Sequence, residues 1–446
     1  MKRLLSLFLA MLFLASCSNL SNDDTELSNK LSIDSKSSLS IYHMDYDLQI
    51  KDAISLFNSS NSGVTVLPTE FTDIEEYRKK IATETLAGEG PDIFLGYNAF
   101  TSIRKVISAG AFYDLNELIS KDKDFIISEY NKNILDCGIF DGKRYIFPIE
   151  YNCNGFYTAK NFLEQNNIAI DDSNWTWKEF TNIAKEFAKK NQGKDKYLVG
   201  WNFGFKALMT NCGISFIDYD NKEVKFNSLE FIELLQCYKD MYPAICTNEI
   251  LSRKKADPFQ LLNDGTILLI YDVFEPHRVY QRNAIIKNSM NLEPQIVSMP
   301  TYKPGSDILA RLSNFAAINS NCKNKEQAFK FLKIFLSKDT RRAGFNLGIP
   351  TNNNIFRDEL EVYLKSDLSN MNKISFGKYT TEPINISQEI FDKINDIVEK
   401  TKGIEIIDEN VYDIISGELP ELLSEKKSAE QVAKEINDKV KIYINE

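Results

Sequence analysis

The sequence predicts a two-lobed α/β protein, each lobe a central β-sheet flanked by helices, with a cleft between the lobes. Three observations predict it. The chain has 446 residues, more than one hydrophobic core organises, so two packed units sharing the chain are expected. Residues 39–95 alternate extended and helical patterns in β-α-β-α-β order, which requires a parallel sheet with helices on its faces. The run 145–157, Y-I-F-P-I-E-Y-N-C-N-G-F-Y, is extended and carries Pro148, which cannot donate to a ladder, so it reads as a strand at a crossing from one sheet to another.

Taken in order, 39–42 reads as a strand, and the next segment places Ile50, Ala53, Ile54 and Phe57 at i, i+3, i+4 and i+7, a helix that Gly63 closes. Residues 64–67 form a second strand and 73–87 a second helix, which Gly88, Gly90 and Pro91 stop before the strand 92–95. Sites on parallel sheets lie beyond the carboxyl ends of the strands, and these ends deliver Tyr42, Asp45, Tyr97 and Asn98. A helix follows over 101–108. Past the crossing, Thr176 and Glu179 form a capping box ahead of an apolar face of Phe180, Ile183, Ala184, Phe187 and Ala188. Trp201 sits in W-N-F-G-F, where the chain turns. Residues 216–226 read as a hairpin around Asp220-Asn221, after which Asn227 caps a helix with Glu230 at its third position. The run 266–271 is almost wholly apolar, as in a strand buried on both faces, and ends in Tyr271-Asp272-Val273-Phe274. Further extended segments fall at 296–300 and 315–318. Asn324 with Gln327 opens the next helix, and the C-terminal part reads as helical, ending on a Ser428–Gln431 box before Val432, Ile436 and Val440.

The first residues state a compartment. Lys2 and Arg3 precede the apolar run 4–14, too short to span a membrane comfortably, and small residues follow, as in a signal peptide of 1–16. Leu14-Ala15-Ser16-Cys17 is similar to the lipobox of bacterial lipoproteins, which makes Cys17 the expected lipidation site. The segment to residue 38 is rich in Ser, Asn and Asp and reads as a flexible tether that holds the folded part off the membrane. The net charge of −10 leaves little surface for neutralising phosphates, so nucleic acid is not an expected partner. Six further cysteines lack Cys-x-x-Cys spacing and the chain holds two histidines, so no metal site is expected.

No phosphate-binding glycine loop, dinucleotide fingerprint, nucleophile elbow or His-Glu-x-x-His pattern occurs, and no cofactor is implied. His43 and His277 stand alone and read as structural or surface residues. Asp272 and Glu275 invite comparison with a glycosidase pair, but nothing else in the chain supports catalysis. What remains is a set of aromatics at strand ends and turns: Tyr42, Tyr97, Tyr151, Trp201, Tyr271 and Phe274. Such faces stack on the C–H faces of sugars, while neighbouring acids and amides such as Glu150, Asp272 and Asn314 bind hydroxyls.

These segments, in this order, resemble the extracellular solute-binding proteins of bacterial ABC importers, in the sugar-binding group that includes the maltodextrin-binding proteins. The resemblance is carried by G-P-D-I-F-L-G-Y from Gly90, I-S-A-G-A-F-Y-D-L-N-E-L-I from Ile107, F-P-I-E-Y-N-C-N-G-F-Y from Phe147 and W-T-W-K-E-F from Trp175. It continues in D-N-K-E-V-K-F-N-S from Asp220, N-K-E-Q-A-F-K-F-L-K-I-F-L-S from Asn324 and G-I-P-T from Gly348. It implies the periplasmic-binding-protein-like fold, with 39–150 and 300–338 in one lobe and 151–299 and 339–446 in the other. It also implies a monomer without enzymatic activity, lipid-anchored on the extracytoplasmic face, that binds a carbohydrate between its lobes, closes on it and presents it to the transmembrane subunits of a permease. Read from the strand ends and turns above, the candidate binding residues are Tyr42, Asp45, Tyr97, Asn98, Glu150, Tyr151, Trp201, Tyr271, Asp272, Phe274 and Asn314. The chain departs from the family where Phe274 stands for a usual stacking tryptophan, and where Arg311-Leu312-Ser313-Asn314 replaces a Gly-rich segment. Both departures touch the pocket. A non-sugar solute, a lipoprotein that feeds a sensor, and a secreted carbohydrate-active enzyme using Asp272 or Glu150 are the alternatives.

Overall fold

The computed structural model describes residues 37–60, 63–96, 100–219, 221–341, 348–369, 371–406 and 408–445. The signal segment, Cys17 and the tether before residue 37 lie outside the described residues, as do Tyr97 and Asn98.

The expected alternation runs β1 (Ser37–Met44), α1 (Leu48–Ser59), β2 (Val64–Phe71), α2 (Ile74–Leu86), β3 (Ile93–Leu95), then α3 (Ile103–Ser108) and β4 (Phe147–Asn152). Helix α1 forms because Ile50, Ala53 and Phe57 share one face and bury it. Asp73 caps α2, accepting from the Glu76 amide at 2.7 Å, and Glu75 and Glu76 place negative charge in the first turn. Next come β5 (Asn154–Ala159), α4 (Trp177–Lys190), β6 (Tyr197–Gly200), α5 (Phe205–Thr210), α6 (Leu229–Met241), β7 (Ile245–Cys246), β8 (Ile267–Val273), α7 (Pro276–Ala284) and β9 (Pro294–Ser298). The chain closes with β10 (Ile308–Ile318), α8 (Lys325–Phe335), β11 (Ile349–Pro350), α9 (Asn353–Lys365), α10 (Gln388–Lys400), β12 (Thr401–Glu405), α11 (Glu409–Leu423) and α12 (Ala429–Tyr443).

Two sheets result. The first has the order β11-β4-β10-β3-β1-β2, with β12 beside the other half of β10. Its edge strand β2 tolerates Pro68, which a central strand would not. The second has the order β7-β6-β8-β5-β9. β4 pairs antiparallel with β10 in the first sheet, and β5 pairs with β8 and β9 in the second. Only Cys153 separates β4 from β5, so the 145–157 stretch changes sheets at that residue. The segment between β9 and β10 makes the return crossing.

Each sheet is covered on both faces. In β3, Ile93 and Leu95 join a core with Phe57 and Phe331, while Phe94 between them joins the opposite core with Phe112 and Phe315. In β5, Phe156 faces the core under α4 and α6, and Tyr157 faces the core with Phe274 and Tyr280. β8 contributes Leu268 to one of these cores and Ile267 to the other, as its unbroken apolar run requires.

Both expected capping boxes form, at Thr176–Glu179 and Ser428–Gln431. Two caps differ from expectation. Ser228, one residue later than Asn227, caps α6 by accepting from Phe231. Asn324 stands at the N-cap position of α8, but its side chain does not make the capping bond to the helix amides. The C-terminal part is also not wholly helical: β12 interrupts it and pairs parallel with the start of β10.

Gly155 shows how closely the crossing is packed. A Cβ there would lie 2.1 Å from the Phe274 ring and 2.7 Å from the Val297 carbonyl oxygen. Gly155→Ala is therefore expected to destabilise the protein by about 1–3 kcal/mol through overpacking, read as a lower urea midpoint at unchanged slope.

Candidate functional site

The residues put forward from the sequence fall into separate environments. On β1, the Tyr42 hydroxyl donates to Glu84 Oε2 at 2.7 Å, and Lys80 holds the other Glu84 oxygen at 2.6 Å. Burial first, and then the Glu84 carboxylate, push the Tyr42 hydroxyl up to about 12. Asp45 follows β1 and its amide donates to the Phe71 carbonyl at 2.8 Å.

Glu150 and Asp272 are both deep in ion pairs. Glu150, 2% exposed, accepts from Arg341 Nη1 at 2.7 Å, and the same guanidinium reaches Glu359 Oε1 at 2.5 Å. Asp272 Oδ2 accepts from Arg282 Nε at 3.1 Å and Nη2 at 3.0 Å, while its Oδ1 accepts from Arg278 at 3.1 Å. The Arg282 guanidinium in turn lies 3.9 Å from the Phe376 ring centroid and 5.1 Å from that of Phe259. Tyr151 and Phe274 are each 1% exposed and pack in the same core, Phe274 edge-on to Tyr157 at 5.2 Å. In this arrangement all four side chains face protein groups.

Trp201 stands where β6 ends. It and Asn202 have φ of 66° and 56°, a left-handed pair that is costly for non-glycine residues and tends to mark functional turns. Asn248 supports the turn, with bonds of 3.2 Å and 3.0 Å to Asn202. The Trp201 ring is 6.5 Å from Phe376. Tyr271, at the end of β8, accepts from Asn154 Nδ2 at 2.7 Å and packs against Phe203 at 5.6 Å. Burial raises its hydroxyl, against the opposing pull of the Arg311 charge. Asn314 lies in the irregular part of β10, and its Oδ1 is buried without a hydrogen-bond partner. The histidines are structural: His43 Nδ1 is 2.8 Å from the Met44 carbonyl oxygen, and His277 Nδ1 is 3.1 Å from the Tyr363 hydroxyl.

A small pocket of about 60 Å³ opens on the first sheet, where it meets the start of α11, a helix that packs into the second sheet's core through Val411 and Ile415. Gly96, Phe100 and Ile103 line it from beyond the carboxyl end of β3, Arg311 and Phe315 from β10, and Glu405, Ile406 and Glu409 from β12 and the start of α11. Glu405 was not among the residues read from the sequence, because the C-terminal segment read as helix. Its local signal was limited to the β-branched Ile404 and Ile406 on either side of it after Gly403, where one acid alternates with two apolar residues. Glu405 Oε2 is buried with no hydrogen-bond partner. Burial pushes this carboxyl up to about 7, against the charges of Arg311 and Lys206. Glu409 differs, since Lys206 Nζ lies 2.9 Å from both of its oxygens.

Next to the lining residues Ile103 and Glu409, α3 and Thr101 ahead of it meet α11, α12 and Tyr219. The Glu409 amide donates to the Thr101 carbonyl at 3.1 Å. Arg104 on α3 lies 4.5 Å from the ring of Tyr219, and Lys105 lies 4.1 Å from that of Tyr443 on α12.

Residues 44–342 match the model of the bacterial extracellular solute-binding protein family. The chain belongs to that family. As a member of a solute-binding family it has solved structural neighbours of the same two-lobed fold. An ABC substrate-binding protein from Listeria monocytogenes, in complex with cycloalternan, aligns over 92% of this chain and 99% of its own at 17% identity and a TM-score of 0.64. The sugar-binding protein MalE from Xanthomonas citri aligns over 92% and 98% at 12% identity and a TM-score of 0.69. A MalE domain from Bdellovibrio bacteriovorus bound to maltotriose covers 92% and 100% at 16% identity and a TM-score of 0.58. Curated relatives from Brucella abortus, which carry only a general binding-protein name, are 22% identical over 299 residues, 64% of this chain and 67% of theirs. No helix among the described residues is long and apolar enough to cross a membrane.

Proposed function

We propose that the chain is the substrate-binding lipoprotein of an ABC importer, anchored through Cys17 on the extracytoplasmic face, and that it binds a carbohydrate between its lobes and hands it to a membrane permease without chemical change. The observation that carries this reading is the pocket between the first sheet and the start of α11, whose wall holds a buried acceptor, Glu405 Oε2, that the protein leaves without a donor. A buried acceptor without a partner costs free energy, so a donor-rich solute that fills it gains the difference on binding. The fold neighbours that carry sugars support the carbohydrate class. In this reading one lobe is built on the first sheet and the other on the second. Closure follows when one solute touches residues of both. Tyr271, Asn314 and Trp201 remain the sequence-derived residues we assign to solute contact or its support, joined by Arg311 and Glu405.

A thermal-shift screen against mono- and oligosaccharides, with amino acids, polyamines and short peptides as controls, tests it. A true solute at a hundred times its dissociation constant should stabilise the protein by about 2.7 kcal/mol. A shift from one sugar class, with the sugar recovered intact, is the expected result. A shift from a control class alone would overturn the carbohydrate assignment, and turnover of the sugar would overturn the transport role in favour of an enzyme.

A further inference from the structure

Two acids line the pocket, and they differ in one respect. Glu409 is neutralised by Lys206 through both oxygens at 2.9 Å. Among the described residues Glu405 makes no ion pair: its Oε2 is buried and accepts no hydrogen bond, and Arg311 acts on it only at a distance. The charged and titratable groups that face it are Arg311 across the β10–β12 pairing, Lys206 from α5, Cys212 just beyond α5, Tyr219 from the 217–224 hairpin and Glu409 from α11. Of these, Lys206 is already engaged by Glu409. A buried carboxylate left this way is offset far better by a full positive charge with several N–H donors than by a neutral hydroxyl.

Resting on the carbohydrate reading above, we propose that Glu405 is the specificity-determining residue of the pocket and that the solute presents a protonated amino group to it, as an amino saccharide does. The ammonium donates to Oε2 and gives the carboxylate the direct ion pair that neither Arg311 nor Lys206 makes. Binding then draws Glu405 into its ionised form. Because burial holds the free carboxyl near 7, a share of the molecules must lose a proton when the solute enters.

Matched sugars separate this proposal from the broader reading. Glucosamine, N-acetylglucosamine and glucose, with their β-1,4-linked disaccharides, differ only as ammonium, acetamide or hydroxyl at carbon 2. Titration calorimetry of the protein with all six at pH 7 is expected to show the ammonium member of each set binding at least tenfold more tightly than its two partners. For wild-type protein, that preference should grow about tenfold between pH 5.5 and pH 7, as the carboxyl ionises, and the heat measured in two buffers of different ionisation enthalpy should report proton release. Glu405→Gln, which keeps the shape and removes the charge, should abolish both the preference and the proton release. Equal or tighter binding of the hydroxyl member, or binding without proton release in the wild type, overturns the amino-group assignment and leaves the carbohydrate reading standing. No binding by any of these sugars together with no shift from any sugar in the wider screen overturns both.

Discussion

Asp272→Ala is expected to lower the stability of the protein by about 3–5 kcal/mol, the cost of leaving a buried charge without its partner. The charge left behind is Arg282, whose side chain is 3% exposed and whose guanidinium meets Asp272 through two hydrogen bonds. Arg278 suffers less. It is 32% exposed and already reaches Glu275 at 3.8 Å, so it keeps both water and a second acid. The sharper test is the second substitution. Arg282 lies against the rings of Phe376 and Phe259, a setting that accepts a linear apolar side chain. Asp272→Ala combined with Arg282→Met is therefore expected to recover most of the loss, since an apolar replacement of a buried pair is often neutral or better. Urea midpoints of the two variants and the wild type decide it. A solute-contacting Asp272 would behave differently: the single variant would lose affinity at nearly unchanged stability, and the second substitution would restore nothing.

The fold was legible because it rests on local signals. The β-α-β-α-β alternation, the Thr176 and Ser428 boxes and the unbroken apolar strand at β8 each follow from residues close in sequence, and the crossing at Cys153 announced itself through Pro148 and the paired runs on either side. The candidate site was legible only in part, because an acid in a sequence does not reveal its cation. Glu150 meets Arg341 across 191 positions, and Asp272 meets Arg282 through the turn of α7. Both read as free acids at strand ends, and both are held in the fold by arginines. Glu405 shows the converse. It sits in a short strand that exists because β10 continues past β4 and offers its first residues to a parallel partner. That long-range pairing, rather than any local propensity, turns a helix-rich C-terminal region into one wall of the pocket.

The second large effect is one of pH and belongs to Glu275. Its Oε2 caps α7 by accepting from the His277 amide at 3.0 Å. Burial nevertheless raises its carboxyl from an ordinary 4.5 to about 7, because its nearest cation, Arg278, is committed first to Asp272 at 3.1 Å. An acid whose folded value lies above its unfolded value binds more protons in the folded state, so its contribution to stability falls as pH rises from about 4.5 through 7 and is fully lost above that. For Glu275 that loss is about 3 kcal/mol, at 1.36 kcal/mol per pH unit. Glu275→Gln removes the titration and keeps an oxygen for the cap. The variant is therefore expected to match the wild type near pH 4.5 and to exceed it progressively, by a few kcal/mol at pH 8, in urea unfolding measured across that range. A gap that is constant with pH, or that closes as pH rises, would mean that the carboxyl is ionised throughout, and that Arg278 neutralises Glu275 and Asp272 together rather than Asp272 first.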